Sequence, residues 1–233
     1  MHHRIHVPTI TPSLEVSGEE FHHAVRVVRL RQGQEIEVFD GRGRAAHGKV
    51  VEIGPRSLRV EIDREIESRE SPVRIHLAAA IIQPDKFELV LQKATELGAA
   101  SITPLVTDRV EVRPERYRGK AKRWEKIVFE AVKQSGRAVI PPVNEPTSFA
   151  ELMKKPGPKL LFDADEEPDG TMQREGEGEI TVLIGPEGGW SEREIAAARA
   201  GHCIFQRLGP RRLRAETAAI AGLSILAARL GDI

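Results

Sequence analysis

Two apolar runs, each closed by a glycine-rich turn and separated by a helix, do most to limit how this 233-residue chain can fold. Residues 180–184 end in Gly185-Pro186-Glu187-Gly188-Gly189. A helix then starts after Ser191, with capping-box spacing to Glu194, and stops at Gly201. Residues 204–208 end in Gly209-Pro210-Arg211-Arg212-Leu213-Arg214-Ala215-Glu216-Thr217. An apolar run without alternation is a strand covered on both faces. A glycine turn at its carboxyl end is where α/β proteins place a small-molecule site. Gly185, Gly188 and Gly189 let backbone approach a ligand closely. The helix after Ser191 points free N–H groups and a positive dipole end at the turn. The two turns read as walls of one pocket that grips a nucleotide-like cofactor through main-chain groups. An ordinary strand-to-helix turn is the plain alternative. Neither GxGxxG nor GxxxxGK[ST] occurs, so a dinucleotide or P-loop site is not supported.

The rest of the chain supplies a frame for that pocket. Residues 1–72 read as a compact β-meander or barrel of five or six strands. Ser17 and Glu20 have capping-box spacing before a short helix over residues 21–30. Residues 35–39 alternate as a half-buried strand, and Asp40-Gly41-Arg42-Gly43 is a hairpin signal. Further alternation covers residues 49–53 and 58–62, and the charged stretch 65–72 suits a linker. From Val73 the texture changes. Residues 74–82 and 102–106 are strands. Phe87, Val90, Leu91, Ala94 and Leu97 share one helical face that ends at Gly98. Trp124, Ile127, Val128, Ala131 and Val132 mark a second helix that ends at Gly136. Residues 159–162 and 180–184 are strands, and residues 218–230 form a last apolar helix. Strands alternating with helices predict a mostly parallel sheet covered on both faces. Two domains result, residues 1–72 and 73–233.

Composition enters as a set of exclusions. Cys203 is the single cysteine, so a disulfide framework or Cys-rich zinc site is excluded. No metal is expected, because the amino-terminal histidines lack acidic or cysteine partners at ligand spacing. No apolar run is long enough to span a membrane, and residues 1–4 lead into no signal core, so a soluble cytoplasmic protein is expected. The formal net charge of +0 places any nucleic-acid contact on local patches. One such patch exists. Residues 109–137 carry ten Lys/Arg against four Asp/Glu, whereas residues 163–179 carry eight acidic residues and one Arg.

In the basic stretch, Arg113, Arg116, Arg118, Lys120, Lys122 and Arg123 interleave with Tyr117 and Trp124. That pattern suits phosphate neutralisation with base stacking. Glu130, Lys133, Gln134 and Arg137 share a helical stripe. It reads either as a solvated face or as a polar wall for a base and a phosphate. His22, His23, Arg26, Arg29 and Arg31 form a further basic face, and Arg42 sits in the hairpin turn within reach of a phosphate.

These segments together resemble the RsmE family of bacterial 16S ribosomal RNA uridine N3-methyltransferases, in the SPOUT superfamily. Four blocks carry the likeness and span nearly the whole chain. The first is Arg26-Val27-Val28-Arg29-Leu30 with Phe39-Asp40-Gly41-Arg42-Gly43. The second is Lys93-Ala94-Thr95-Glu96-Leu97-Gly98. The third is Glu130-Ala131 with Gln134-Ser135-Gly136-Arg137. The fourth is Ile184-Gly185-Pro186-Glu187-Gly188-Gly189 with Leu208-Gly209 and Arg214-Ala215-Glu216-Thr217-Ala218. Arg212 departs from the pattern, which usually has an apolar residue there.

The resemblance implies an α/β fold, a SPOUT-type trefoil-knotted, mostly parallel sheet with an amino-terminal PUA-like RNA-binding β-barrel. It implies S-adenosyl-L-methionine as cofactor, ribosomal RNA or the 30S subunit as substrate, and a homodimer with the site near the subunit interface. The cofactor walls would be Leu161, Phe162 and Asp163, then Ile184, Gly185, Pro186, Glu187, Gly188 and Gly189, then Leu208, Gly209, Leu213, Arg214 and Thr217. RNA would meet His23, Arg26, Arg29, Arg42, Arg113, Arg123 and Gln134. Methyl transfer to uridine N3 is an in-line displacement that requires loss of the imide proton. Arg137 is assigned to the resulting anion, and Glu96, Glu130, Glu187 or solvent takes the proton. Three other readings stay open: a SPOUT enzyme for another RNA site or a ribose 2′-hydroxyl, a non-catalytic RNA-binding protein, and a metabolic nucleotide-binding enzyme.

Overall fold

The computed structural model describes residues 3–67, 69–110, 117, 119–169 and 178–233. The chain divides into two compact units, Met1–Glu70 with Val132–Ile140, and Ser71–Ala131 with Pro141–Ile233.

The first unit is built on a five-stranded sheet. Its strands are β1 (His3–His6), β2 (Ser13–Ser17), β3 (Glu35–Phe39), β4 (Ala45–Ile53) and β5 (Ser57–Ile66), in the order β1-β3-β4-β5-β2. β1 runs parallel to β3, so the sheet is not the simple meander that strand spacing suggested. The β3–β4 turn forms as expected, with the Asp40 carboxylate accepting the N–H of Arg42 at 2.8 Å and of Arg44 at 3.1 Å. Alternation misleads at Glu37, which is 5% exposed. Its carboxylate accepts from Arg4 Nε at 2.7 Å, so a buried charge is paired.

The expected helix over residues 21–30 is shorter. Helix α1 (Gly18–His22) continues as a π-turn, His23–Val27, and Arg29 then adopts φ 58°. Ser17 makes no capping bond. Glu20 instead accepts from Lys133 Nζ at 3.0 Å and from the His6 N–H at 3.2 Å.

Residues 132–140 complete this unit. Gly43 N–H donates to Ala138 at 3.1 Å, and Ile140 N–H to Gly41 at 3.0 Å. Arg4 donates to the carbonyls of Val132 at 2.7 Å and Arg137 at 2.8 Å. Val132 is among the last four carbonyls of α3 (Ala121–Ser135), which a helix end leaves without intrahelical partners. The core lies between sheet and helix, where Phe21, Ala24 and Leu30 meet Ile36, Val38, Val50 and Val60.

The second unit is a six-stranded sheet of β6 (Arg74–Ala80), β7 (Ser101–Val106), β8 (Thr147–Ser148), β9 (Lys159–Phe162), β10 (Glu179–Ile184) and β11 (Ile204–Gln206). The order is β11-β9-β10-β6-β7-β8, and every pairing is parallel. The helices are α2 (Pro84–Glu96), α3 (Ala121–Ser135), α4 (Phe149–Lys154), α5 (Glu192–Ala200) and α6 (Ala215–Leu230). Strand parity shows both faces covered. Ala78, Leu161, Leu183 and Phe205 pack with Phe149 and Leu152 of α4 and Ala198 of α5. Phe162, one residue on from Leu161, meets Gly222 of α6 instead. A strand's alternation allows both only if helices lie on each side.

The chain leaves central β10, passes through α5 to edge strand β11 beyond β9, and returns with α6 against β10 and β6. Residues 163–169 are hydrogen-bonded to the β11 segment of that path. Asp169 exchanges bonds with the backbone of Phe205, and Arg207 donates to the Asp165 carbonyl at 2.9 Å. Here the resemblance places the crossing of a SPOUT-type trefoil, which short un-knotted connections would not predict.

Candidate functional site

Three loops at the carboxyl ends of adjacent parallel strands form a cleft in the second unit. It is lined by Phe162, Asp163, Ala164 and Asp165 after β9, by Ile184, Gly185, Pro186, Glu187, Gly189 and Trp190 after β10, and by Leu208, Gly209, Arg211, Arg212, Leu213, Ala215 and Ala218 after β11. The two glycine turns picked out in the sequence are thus two walls of one site, with β9 between them supplying the third.

The β9 and β10 walls are braced. Lys86 Nζ lies 3.2 Å from Glu187 Oε1. Arg109 donates to the Gly188 carbonyl at 3.0 Å. The Trp190 indole N–H donates to the Phe162 carbonyl at 3.0 Å, tying the β10 turn to β9. A side chain at Gly185 would stand 2.9 Å from the Trp190 ring, so glycine is required there by the close approach. Trp190 was not assigned from the sequence. Its signal was a tryptophan immediately after a glycine turn.

The helix whose first N–H groups are free at the cleft differs from expectation. Ser191 Oγ accepts from Glu194 N–H at 3.2 Å, and the Glu194 carboxylate accepts from Ser191 N–H at 2.9 Å, so α5 is capped by its own residues. Asp108 joins Ser191 Oγ at 2.6 Å and Arg193 at 2.6 Å, and the Ser191 hydroxyl and then Arg193 hold its carboxyl below the usual aspartate range. At α6, N-cap Arg214 makes no side-chain cap, so the donors of the first turn stay available beside Leu213 and Ala215.

Four of the assigned wall residues do not line the cleft. Leu161 is 0% exposed and its side chain belongs to the core on the α4–α5 face. Gly188 is exposed with its carbonyl taken by Arg109. Arg214 and Thr217 are exposed at the start of α6. Arg212, the departure from the family pattern, reaches across the mouth to Asp165 at 2.8 Å.

Of the assigned acid–base groups, Glu187 alone lines the cleft. Glu96 is exposed and paired with Lys93 at 2.9 Å, and Glu130 is exposed on α3. Arg137 lies in the first unit and is 4% exposed. Its guanidinium rests on Glu70 at 2.6 Å, and the same carboxylate accepts the N–H groups of Ala138 and Val139 at 3.1 Å each.

The aromatic reading of the basic stretch is corrected. Tyr117 and Trp124 are buried against Phe87, with ring centroids 5.6 Å apart from each other, and the Tyr117 hydroxyl donates to the Ile82 carbonyl. They are core, because α3 turns this edge toward α2, and they cannot stack on bases. Arg123 is exposed but paired with Glu88. His23, Arg26, Arg29, Arg42 and Gln134 are exposed in the first unit. Arg113, Arg116 and Arg118 lie outside the described residues. Among the described residues no cluster of metal-ligating side chains occurs, and no helix is long and apolar enough to cross a membrane.

Comparison with known proteins gives two family matches, an RNA methyltransferase domain over residues 69–227 and an RNA methyltransferase PUA domain over residues 16–63. Ribosomal RNA small subunit methyltransferase E of Bacillus subtilis is 30% identical over 234 residues, covering 92% of this chain and 90% of the relative. The Synechocystis protein of the same name is 31% identical, covering 95% and 75%. Among solved structures, ribosomal RNA small subunit methyltransferase E of Neisseria gonorrhoeae bound to S-adenosyl methionine superposes with a TM-score of 0.90 at 30% identity, over 100% of both chains. A methyltransferase of Legionella pneumophila solved with the bound cofactor SAM gives 0.86 at 33% identity, over 98% of both.

Proposed function

The chain belongs to the ribosomal RNA small subunit methyltransferase E family, and from that premise we propose that it methylates uridine N3 in small-subunit (16S) ribosomal RNA, using S-adenosylmethionine and yielding 3-methyluridine. The observation that carries this reading is the three-walled cleft at the carboxyl ends of β9, β10 and β11. Its residues fit the cofactor. Phe162, Ile184, Leu208 and Leu213 offer apolar surface, Asp163 offers a carboxylate, and Arg211 offers a cation. Gly209, at φ 106°, has open space where a side chain would stand, so backbone borders the cleft directly. A ligand with an aromatic ring, a positive sulfonium and an amino-acid end meets matching groups.

The cofactor supplies a methyl group on a sulfonium. The chain supplies the rest. The α6 donors and the braced β10 turn hold the ligand in place, and positioning of this kind is the main source of rate in an in-line displacement. Glu187, half-buried with Lys86 at 3.2 Å, takes the N3 proton. Arg137, assigned from the sequence to the imide anion, is buried on Glu70 in the first unit, so that role is not carried over to the cleft. The first unit binds the RNA, and the protein works as a homodimer in the cytoplasm. The test is mass spectrometry of nucleosides from small-subunit RNA in cells with and without this protein. Loss of 3-methyluridine is expected, and an unchanged level would overturn the assignment.

A further inference from the structure

The first unit contains a cavity of about 520 Å³ whose lining includes His23 and Gln134, two residues assigned to RNA contact, but for which no ligand has yet been named. Its volume is in the range of sites that hold small ligands. Ala24, Val28, Leu30 and Ile5 supply apolar lining. Polar lining comes from three separate parts of the chain: His23 from the π-turn, Arg69 from the stretch after β5, and Gln134 from the end of α3.

What distinguishes these three side chains is that their donors are unused. The other charged groups of the lining are satisfied within the unit. Arg4 is held by Glu37 and three backbone carbonyls, and Lys133 is held by Glu20. Among the described residues, the side chains of His23, Arg69 and Gln134 make no hydrogen bond or ion pair. Because Glu37 and Glu20 are already neutralised, Arg69 leaves the cavity with an excess of positive charge.

The backbone around the cavity is also unusual. His23 and Ala24 belong to a π-turn, a form that occurs mostly at functional sites. Arg29, just beyond, is held at φ 58°, a conformation that costs a non-glycine residue energy and persists where the surroundings enforce it. At Gly136 a side chain would stand 2.3 Å from the Arg69 guanidinium, and the backbone has φ 80°. Glycine there keeps the space in which Arg69 lies over the turn. The π-turn and the missing side chain thus border the cavity, and Arg29 stands between two of its lining residues, Val28 and Leu30.

Aliphatic side chains together with a guanidinium, an amide and an imidazole, in one cavity of this volume, match a nucleotide. The base lies on aliphatic side chains, Gln134 reads a base edge, and Arg69 meets the phosphate. We propose that this cavity captures one unpaired RNA nucleotide, other than the uridine that is methylated, and so anchors the substrate on the first unit. The inference rests on the RNA-methylating reading above and adds a specific base-and-phosphate subsite to it.

The test uses the full chain. Uridine 5′-monophosphate is titrated into isotope-labelled protein, and amide shifts of Val28, Leu30 and Gly136 are followed, with uridine and inorganic phosphate as separate arms. The monophosphate is expected to shift all three amides, and inorganic phosphate alone is expected to shift at most Gly136. Equal shifts from phosphate alone would overturn the base subsite in favour of a simple anion site. No shift from any probe would overturn the whole proposal. In parallel, Arg69→Ala with Gln134→Ala is expected to raise KM for small-subunit RNA about tenfold at unchanged affinity for S-adenosylmethionine, and to lower the salt slope of RNA binding by about one phosphate contact. Both residues are exposed, so folding is not at stake. Wild-type methylation with an unchanged KM in the double variant would sink the subsite and leave the enzyme assignment standing. Absent methylation by the wild type, with the three amides still shifting, would do the reverse.

Discussion

Gly222→Ala sets helix propensity against packing at the cofactor cleft. Gly222 lies in the interior of α6 and is fully surrounded. Replacing an interior helix glycine by alanine favours the helix by about 1 kcal/mol. The new methyl would, however, stand 2.9 Å from Phe162 Cε2 and 3.2 Å from Cδ2. Carbon atoms rest at ~3.5 Å or beyond, so the ring must withdraw by roughly 0.6 Å. Core overpacking of this size costs about 1–3 kcal/mol when the neighbour is fixed. Phe162 is not fixed on all sides. It is half-buried, and its free side is the cleft itself. The cheap relaxation therefore pushes the ring into the space of the cofactor. Stability should change little, because the propensity gain offsets the strain, while affinity for S-adenosylmethionine should fall about tenfold, or ~1.4 kcal/mol. Thermal denaturation and titration calorimetry on the same preparation read the two effects. Adding Phe162→Leu, which removes the ring edge, should recover part of the affinity lost in Gly222→Ala. A melting temperature raised by the ~2–4 °C that 1 kcal/mol gives a chain of this size, with affinity intact, would refute the contact between α6 and the cleft wall.

Three further outcomes are expected. Glu187→Gln should lower kcat by at least the roughly 10²-fold typical of a lost general base while cofactor affinity stays within a few-fold, and Glu96→Gln and Glu130→Gln should keep full rate; equal rates in all three would remove Glu187 as proton acceptor. Glu70→Ala leaves the buried Arg137 guanidinium without its carboxylate, so it should cost about 3 kcal/mol in chemical denaturation, with part of that loss recovered when Arg137→Ala is added; a loss below ~1 kcal/mol would show that the pair is solvated. His76 is held below the usual histidine range, chiefly by burial and further by Arg74, against an opposing pull from Glu179. The unfolded chain thus binds its proton first, and stability should be constant above about pH 6.5 and decline as pH falls through that value; His76→Gln should flatten the decline, and an unchanged pH profile would contradict the assignment.

Much of the site was legible because its signals are short. A glycine turn after an apolar run, or Ser191 followed at the third position by Glu194, needs only neighbouring residues, and both formed as expected. The same holds for the Asp40–Arg44 hairpin. Where reading failed, the deciding interaction came from far along the chain. Tyr117 and Trp124 look the same in sequence whether they face bases or Phe87, and packing of α3 against α2 decided for Phe87. Glu20 had capping-box spacing, yet Lys133 takes its carboxylate from 113 positions away.

The parallel sheet was therefore determined by sequence alone, since periodicity and turn chemistry act over a few residues, and the family by its resemblance over four blocks of the chain. So was the pairing of the two glycine turns in one cleft. Tertiary structure alone decided that residues 132–140 complete the first unit, that Arg137 rests on Glu70, and that α6 rather than α5 leaves its first N–H groups free at the cleft. It also decided that Trp190 ties β10 to β9 and that Arg212 finds Asp165 across the mouth. A buried charge or an indole N–H must find a partner wherever the fold brings one near, and that partner's position in the sequence carries no local mark.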